Sequence, residues 1–427
     1  MQAKSNVNKL KLYATLFALG IAGGAIFLIP YIKFVFYDLQ ITVTGMTNAQ
    51  SALLLTVYAI TSMIAGVPCG LICDKLDAKK GLIFSLLATT AVTVLYAFTN
   101  TSYIIALLIW ILLSILTMCI YWPIFSKTLN IIGNKTGNAG RSGMAFGWYY
   151  TFNGIGAAIM QSICLWVSNR FEDPTTSFRV AILFTAGCTL LATVIVFFLF
   201  DATLATSDET EKVEEKKEKK GTDWSQVGVI LKNPYVWYML IICFVAYCMY
   251  SMMSYFTPYL TAVVGVSAAE SGIFAIIRTY VFLVLSLLGG TIADKYFKST
   301  SKWMMVVFII AAAMIAGLFL IPAGANPMFV GVYTLIPAAL VQMSYPLKYS
   351  VIGEIGISQH LLATTTSIAA IAGSLADLVV GPVIGFLLDS IGNTAYYVLF
   401  AFLAAMLVLG AFCCFLIIKK QKQMAAE

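Results

Sequence analysis

The chain reads as a series of long apolar runs cut by short polar turns. A membrane-spanning helix needs roughly 20 predominantly apolar residues. By that ruler the pattern predicts twelve, at about 12–37, 50–72, 81–99, 103–128, 142–168, 177–200, 234–262, 267–291, 303–322, 327–349, 361–388 and 394–418. The runs are apolar throughout, whereas a membrane barrel is built from segments of about ten alternating residues, which disfavours strands. The expected class is an all-α membrane protein with twelve transmembrane helices.

One charged turn organises these runs: Gly70-Leu-Ile-Cys-Asp74-Lys75-Leu-Asp77-Ala-Lys79-Lys80. It returns 220 positions later as Gly289-Gly290-Thr-Ile-Ala-Asp294-Lys295-Tyr-Phe-Lys298. Pro30-Tyr31 is echoed by Pro258-Tyr259 at an offset of 228, and Pro123 by Pro346 at 223. Landmarks at a similar spacing mark an internal repeat. The expected division is a six-helix bundle over 1–200, a charged linker over 201–232 and a second six-helix bundle over 233–427.

Composition sharpens this picture. Apolar residues make up 60% of the chain and charged ones 11%, with a mean hydropathy of +0.91, against about a quarter charged in a soluble domain. The net charge of +7 sits in short turns beside apolar runs, a mark of topology rather than of a nucleic-acid face. Lysines and arginines gather at one set of helix ends: Lys4, Lys9 and Lys11; Lys75, Lys79 and Lys80; Lys127, Lys135 and Arg141; Lys295, Lys298 and Lys302; Lys419 and Lys420. By the positive-inside rule those ends, and both termini, are cytoplasmic. The linker carries eleven charges within 208–220, and reads as a solvated tether of Glu–Lys pairs or a disordered one. The nine cysteines are scattered and form no CxxC, so neither a disulfide framework nor a zinc site is supported. The first run continues to about Phe36, too long for a signal segment.

These residues resemble the major facilitator superfamily. Gly70-x-x-x-Asp74-Lys75-x-x-x-Lys79-Lys80 is similar to its signature loop between helices two and three, and Asp294-Lys295 to the second copy. Asp77 and Ala78 stand where the family usually has a glycine and a basic residue. Pro123 with Lys127, then Gly140-Arg141, resembles the helix-four to helix-five region. Gly381-Pro382-x-x-Gly385-x-x-x-Asp389-x-x-Gly392 resembles the end of helix eleven in organic-anion members. The resemblance implies two six-helix halves moving about a midplane site. It gives Asp74 and Asp294 gating roles. Independently, a carboxylate such as Asp74 at a cytoplasmic helix end can face the positive end of another helix, here the start of helix eleven near His360, and Asp294 can do so near Arg141. For both, a charged turn that only fixes topology is the competing reading.

Charges inside the runs need a reason, because each costs at least ~2.5–3.5 kcal/mol at the bilayer centre. Arg278 falls near mid-depth of helix eight, where the first half has Tyr58. A guanidinium forks onto a carboxylate, sulfonate or phosphate; alternatively a neighbouring carboxylate neutralises it. Asp377 in helix eleven is the obvious partner, as a counter-ion or as a proton carrier. Lys33, three residues after Pro30, and Lys348, two after Pro346, read either as anion ligands or as snorkelling side chains. Tyr31, Tyr58 and Asn153 complete the candidate substrate site. Glu270 opens helix eight and suits its dipole.

With one histidine, no HExxH, no GxSxG elbow and no ATP loop, neither an enzyme nor an ATP-driven pump is expected, and no cofactor. The expected function is a secondary active transporter moving a small organic anion across the plasma membrane, with protons, as a monomer and without nucleic acid. An efflux carrier for amphipathic drugs and a non-transporting membrane sensor are the alternatives. The lysine bias has a direct check: a fluorescent protein fused at the C-terminus should fluoresce in bacterial cells, and an alkaline phosphatase fused there should be inactive.

Overall fold

The computed structural model describes residues 9–73, 76–136, 142–205, 228, 230–322, 324–357 and 362–424. Among them there is no strand, and helices follow one another with short turns. We label twelve rods. α1 is Lys9–Ile26 and Lys33–Thr44, α2 Asn48–Cys73, α3 Ala78–Thr99, and α4 runs from Tyr103–Ser114 to Trp122–Thr136. α5 is Ser142–Ser168 and α6 Pro174–Leu199. α7 begins with Pro234–Met252 and continues to Val264, and α8 is Ala268–Thr279 and Leu285–Ile292. α9 is Thr300–Gly317 and α10 Pro327–Ser344. α11 is Leu362–Leu375 and Gly381–Ile391, and α12 Thr394–Met424. Among the described residues ten helices are individually long and apolar enough to cross a membrane, eleven if the bent α8 counts as one span.

Starts are fixed by side chains that accept the unpaired N–H groups of the first turn. Asp77 accepts from the Lys80 N–H at 2.9 Å, Asp173 from Thr176 at 2.8 Å and Asn233 from Tyr235 at 3.0 Å. Prolines follow at Pro174, Pro234 and Pro327, where the missing donor costs nothing. Ser267 and Glu270 form a reciprocal capping box at the start of α8. The Glu354 carboxylate takes the N–H groups of Thr300 and Ser301, at 2.5 and 3.0 Å, at the start of α9. At the end of α6, Asp201 accepts from the hydroxyl and N–H of Thr203 and pairs with Lys11 at 3.1 Å. These contacts, the Thr203 hydroxyl first, hold its carboxyl below the usual range.

Several rods are broken inside, mostly beside proline, which removes a donor and crowds the preceding carbonyl. α1 opens into a turn over 27–32 around Pro30. α4 widens to a π-helix over Ile115–Tyr121 just before Pro123, and α7 over Leu260–Val264 just after Pro258. α10 tightens to a 3₁₀ helix over Tyr345–Glu354, with Pro346 in its first turn. α11 has a π turn at Ala376–Val380 ahead of Pro382.

Two compact units result. The first holds α1, α2 from Leu54 onward and α3–α6, and the second holds α7–α12 with the segment Thr47–Leu53. In the first, α1 packs on α5 and α6, and α3 on α6; in the second, α9 packs on α12, and α7 on α11 and α12. Thr47–Leu53 groups with the second unit through Asp389, whose carboxylate accepts from the N–H groups of Asn48 and Ala49 at 2.8 and 2.9 Å.

Small residues let helices approach closely, the usual device where lipid offers no hydrophobic drive. A Cβ on Gly24 of α1 would lie 3.0 Å from the Asn153 carbonyl oxygen of α5. One on Gly289 of α8 would run into the Met343 carbonyl of α10. Gly289→Ala should therefore force two backbones apart and lose about 1–3 kcal/mol or more. Gly187→Ala, with nothing within 4 Å, should be neutral. Thermal unfolding of both variants in detergent checks the contrast.

Candidate functional site

In the second unit the site grows from the break in α8. Arg278 lies in the last turn of Ala268–Thr279, where the α-helix ends at Tyr280, with φ −111°, and passes into a 3₁₀ turn over Val281–Val284. The carbonyls freed there are taken by Gln342 of α10, whose Nε2 donates to Arg278 O at 3.2 Å and Thr279 O at 3.4 Å. A cation at a helix C-terminus also suits the dipole. The Arg278 side chain runs inward and is 1% exposed. Its Nη1 donates to Thr334 Oγ1 at 3.2 Å, its Nη2 to Thr257 Oγ1 at 3.1 Å, and the Phe256 ring lies 5.8 Å away. These hydroxyls engage two of the five N–H groups of a guanidinium. Among the described residues no ion pair joins Arg278 to a carboxylate. Asp377 is not its counter-ion.

Asp377 is held elsewhere. The π turn of α11 presents it to α7, where the Tyr247 hydroxyl donates to it at 2.7 Å and the Ser251 hydroxyl closes on its other oxygen. Tyr247 and Ser251 are four residues apart, one above the other on one helix face. Lys348, 3% exposed, is not snorkelling. The 3₁₀ turn of α10 lays its Nζ over tyrosine rings, 3.4 Å from the centroid of Tyr345, 4.8 Å from Tyr349 and 5.5 Å from Tyr247. Cation–π attraction replaces a carboxylate there. Tyr250 stacks on Tyr345 with centroids 4.4 Å apart and planes 13° apart. Tyr247 therefore touches both charge centres, donating to Asp377 and lying beside Lys348. Among the described residues the second unit thus holds two buried cations, Arg278 and Lys348, and one buried carboxylate, Asp377.

In the first unit, Lys33 opens the second piece of α1 after the break and is 5% exposed. The Trp110 indole nitrogen donates to Pro30 O at 3.3 Å within that break. Tyr31 meets the Tyr58 ring edge-on at 5.9 Å, and the Tyr58 and Thr117 hydroxyls are 2.5 Å apart. Thr117 sits in the π segment of α4. Asn153 Nδ2 donates to the Tyr149 hydroxyl at 3.0 Å, against Gly23 of α1, so it also serves the α1–α5 contact. A cleft of about 170 Å³ at the ends of α2, α4 and α6, lined by Asp77, Lys127 and Thr128 among others, includes none of the candidate substrate residues. Asp294 is exposed on the π turn Ala293–Phe297 and has no hydrogen bond or ion pair among the described residues. Asp74, with His360 and Arg141, lies outside the described residues.

The hydroxyls of Thr117, Thr257 and Thr334 and the pair Tyr247 and Ser251 were not anticipated. One signal was available. Thr117 and Thr334 occupy corresponding places in the repeat, so α2–α4 and α8–α10 are each bridged at one level, by Tyr58 with Thr117 and by Arg278 with Thr334.

The family model described as Major Facilitator Superfamily matches residues 12–354. The inner membrane protein YihN of Escherichia coli (strain K12) is 26% identical over 420 residues, 98% of this chain and 98% of that protein. The inner membrane protein YqcE of the same organism is 24% identical, over 91% of this chain and 90% of that one. A solved D-xylose-proton symporter aligns with a TM-score of 0.72 at 15% identity, over 96% of this chain and 97% of that one. A bacterial homologue of the human lysosomal transporter Spinster, inward-facing and unoccupied, gives 0.68 at 18%, over 97% of each.

The threonine contacts are separable by mutation. A hydrogen bond to a charged group contributes about 1.5–3 kcal/mol, so Thr257→Val and Thr334→Val should each lower the unfolding temperature. In an Arg278→Met background both losses should shrink toward zero. A double-mutant cycle by thermal unfolding measures the coupling.

Proposed function

We propose that this chain, which belongs to the Major Facilitator Superfamily, is a secondary active transporter whose cargo is a small organic anion. Its substrate class is a carboxylate, sulfonate or sugar acid. One observation carries the reading: Arg278 is buried, bonded to neutral hydroxyls, and has no carboxylate partner among the described residues. A guanidinium keeps its proton, and a buried unpaired charge is expensive. An anionic ligand that docks on its fork offsets that cost and is recognised by the same act. Lys348 supplies a second positive charge in the same unit. Lys33, with Tyr31, Tyr58 and Asn153, supplies polar lining in the first unit.

Proton coupling follows from the remaining charge. With Asp377 ionised, the described buried residues of the second unit carry two cations and one anion; with Asp377 protonated they carry two cations. Protonation therefore raises affinity for an anion, and anion binding raises affinity for the proton, which is the reciprocity that linkage requires. The transporter is an uptake symporter by this reading. It works as a monomer in the plasma membrane, with both termini cytoplasmic, as the lysine bias implies. Its two six-helix units, joined by the linker over 201–232, alternate access to the site. Asp74 and Asp294 mark the turns that open and close on the cytoplasmic side.

Reconstituted proteoliposomes test this. Arg278→Lys should impair uptake of labelled anion at least tenfold, because a point charge replaces a planar fork, and Arg278→Gln should abolish it. Wild-type uptake should rise as the outside pH falls. Asp377→Asn should remove that acceleration. Full transport by the glutamine variant would sink the anion site, and an unchanged pH response in Asp377→Asn would sink the coupling.

A further inference from the structure

Two hydroxyls of α7 close on the Asp377 carboxylate. Tyr247 donates to Oδ2 at 2.7 Å, and Ser251 to Oδ1. The α-helix Pro234–Met252 sets the two donors four residues apart on one face. The π turn Ala376–Val380 aims Asp377 at that face, and a π turn inside a helix often marks a functional position.

The surroundings hold this contact in place. Asp377 is 6% and Ser251 4% exposed, and Tyr247 is half-buried. The Tyr247 ring lies 6.0 Å from that of Tyr345 and 6.2 Å from that of Tyr250, which steadies the direction of its hydroxyl. Among the charged and titratable groups nearby, the Lys348 ammonium lies 5.5 Å from the Tyr247 ring. Cys248 and Tyr255 of α7 are within electrostatic reach of Asp377. The other carboxylate of α11, Asp389, is committed to the start of α2.

Counting protons gives the two hydroxyls different parts. An ionised carboxylate only accepts, so both donors suit its charged form. A carboxylic acid carries an O–H that needs an acceptor of its own. Ser251 can provide one by turning over. A serine in a helix can give its hydrogen to the carbonyl four residues back, here that of Tyr247, and its oxygen then accepts from the acid. A phenol stands too far from its own backbone to do the same, so Tyr247 goes on donating.

We propose that Tyr247 and Ser251 are positioning residues of the proton site: both stabilise the charged form of Asp377, and Ser251 reverses its hydrogen bond when a proton arrives on the oxygen it faces. The inference rests on the reading of Asp377 as the proton carrier and names what governs it. One proton is gained from water, on Oδ1, while the serine hydrogen only rotates. The pair thus sets the pH at which the carrier loads its proton.

Infrared difference spectra of the purified full-length protein, taken through a pH titration, test this. No solute is present, so the result does not depend on what Arg278 binds. A carboxylic-acid C=O band that is missing in Asp377→Asn belongs to Asp377. Tyr247→Phe should move the midpoint of that band about one pH unit upward, the difference between a hydrogen bond to a charged group and one to a neutral group. It should also raise the frequency of the band, because the C=O loses its donor. Ser251→Ala should move the midpoint the same way with a smaller change in frequency. Ser251→Thr, which keeps the hydroxyl, should restore the wild-type midpoint. Ser254→Ala removes a buried hydroxyl bonded to the Ser251 carbonyl rather than to the acid, and should change neither. A midpoint that neither Tyr247→Phe nor Ser251→Ala moves upward would overturn the pair while leaving the proton site standing. A frequency that rises in Ser251→Ala and not in Tyr247→Phe would put the proton on the other oxygen and overturn the reversal at Ser251. No Asp377 band at any pH would overturn the proton site and the pair with it.

Discussion

A guanidinium held in a membrane protein's interior by two threonine hydroxyls is the constraint on which the functional architecture turns. Arg278 keeps its charge and cannot leave the interior, because the α8 turn that carries it is fixed to α10 through Gln342. Hydroxyls orient the fork without neutralising it. Two other charged side chains of the second unit are buried among the described residues, Lys348 and Asp377. Lys348 is stabilised by aromatic rings, and Asp377 by a tyrosine and a serine, so neither cancels Arg278.

That arrangement depends on irregular backbone. Asp377 and Thr117 both stand on π turns, Arg278 at a helix break, and Lys348 on a 3₁₀ turn. Such irregularities are often found at functional sites. Here each re-aims a side chain that a straight helix would present elsewhere. Prolines account for most of them. The break after Arg278 has none, and Gln342 satisfies its carbonyls instead, which keeps the interruption from leaving buried acceptors unpaired.

The internal repeat gives both units one scaffold, while substitution gives them different chemistry. The level that joins Tyr58 to Thr117 in the first unit joins Arg278 to Thr334 in the second. The place of Lys33 in the first corresponds to Thr261 in the second. A symmetric body has thus acquired an asymmetric distribution of charge. Tyr247 connects the two kinds of group in the second unit, touching the carboxylate by hydrogen bond and the ammonium through its ring.

Length, hydropathy and the lysine pattern were enough to place the spans, because hydrocarbon demands long apolar segments with every backbone group bonded internally. Asp173, Asn233 and Asn326, each followed by a proline, cap the starts of α6, α7 and α10, a local signal that the hydropathy ruler did not use. The repeat was legible because Gly, Pro and Asp recur at similar spacings, and Arg278 stood out because a charge in an apolar run is costly wherever it points. The partners of those charges were not legible. Asp377 looked like the natural mate of Arg278, yet the π turn of α11 delivers it to Tyr247 and Ser251, and threonines from α7 and α10 take the arginine. Pairing of this kind depends on the rotation of each helix about its axis and on local widening or tightening by a single residue. Those are set by packing between helices far apart in the chain, and one-dimensional spacing does not encode them.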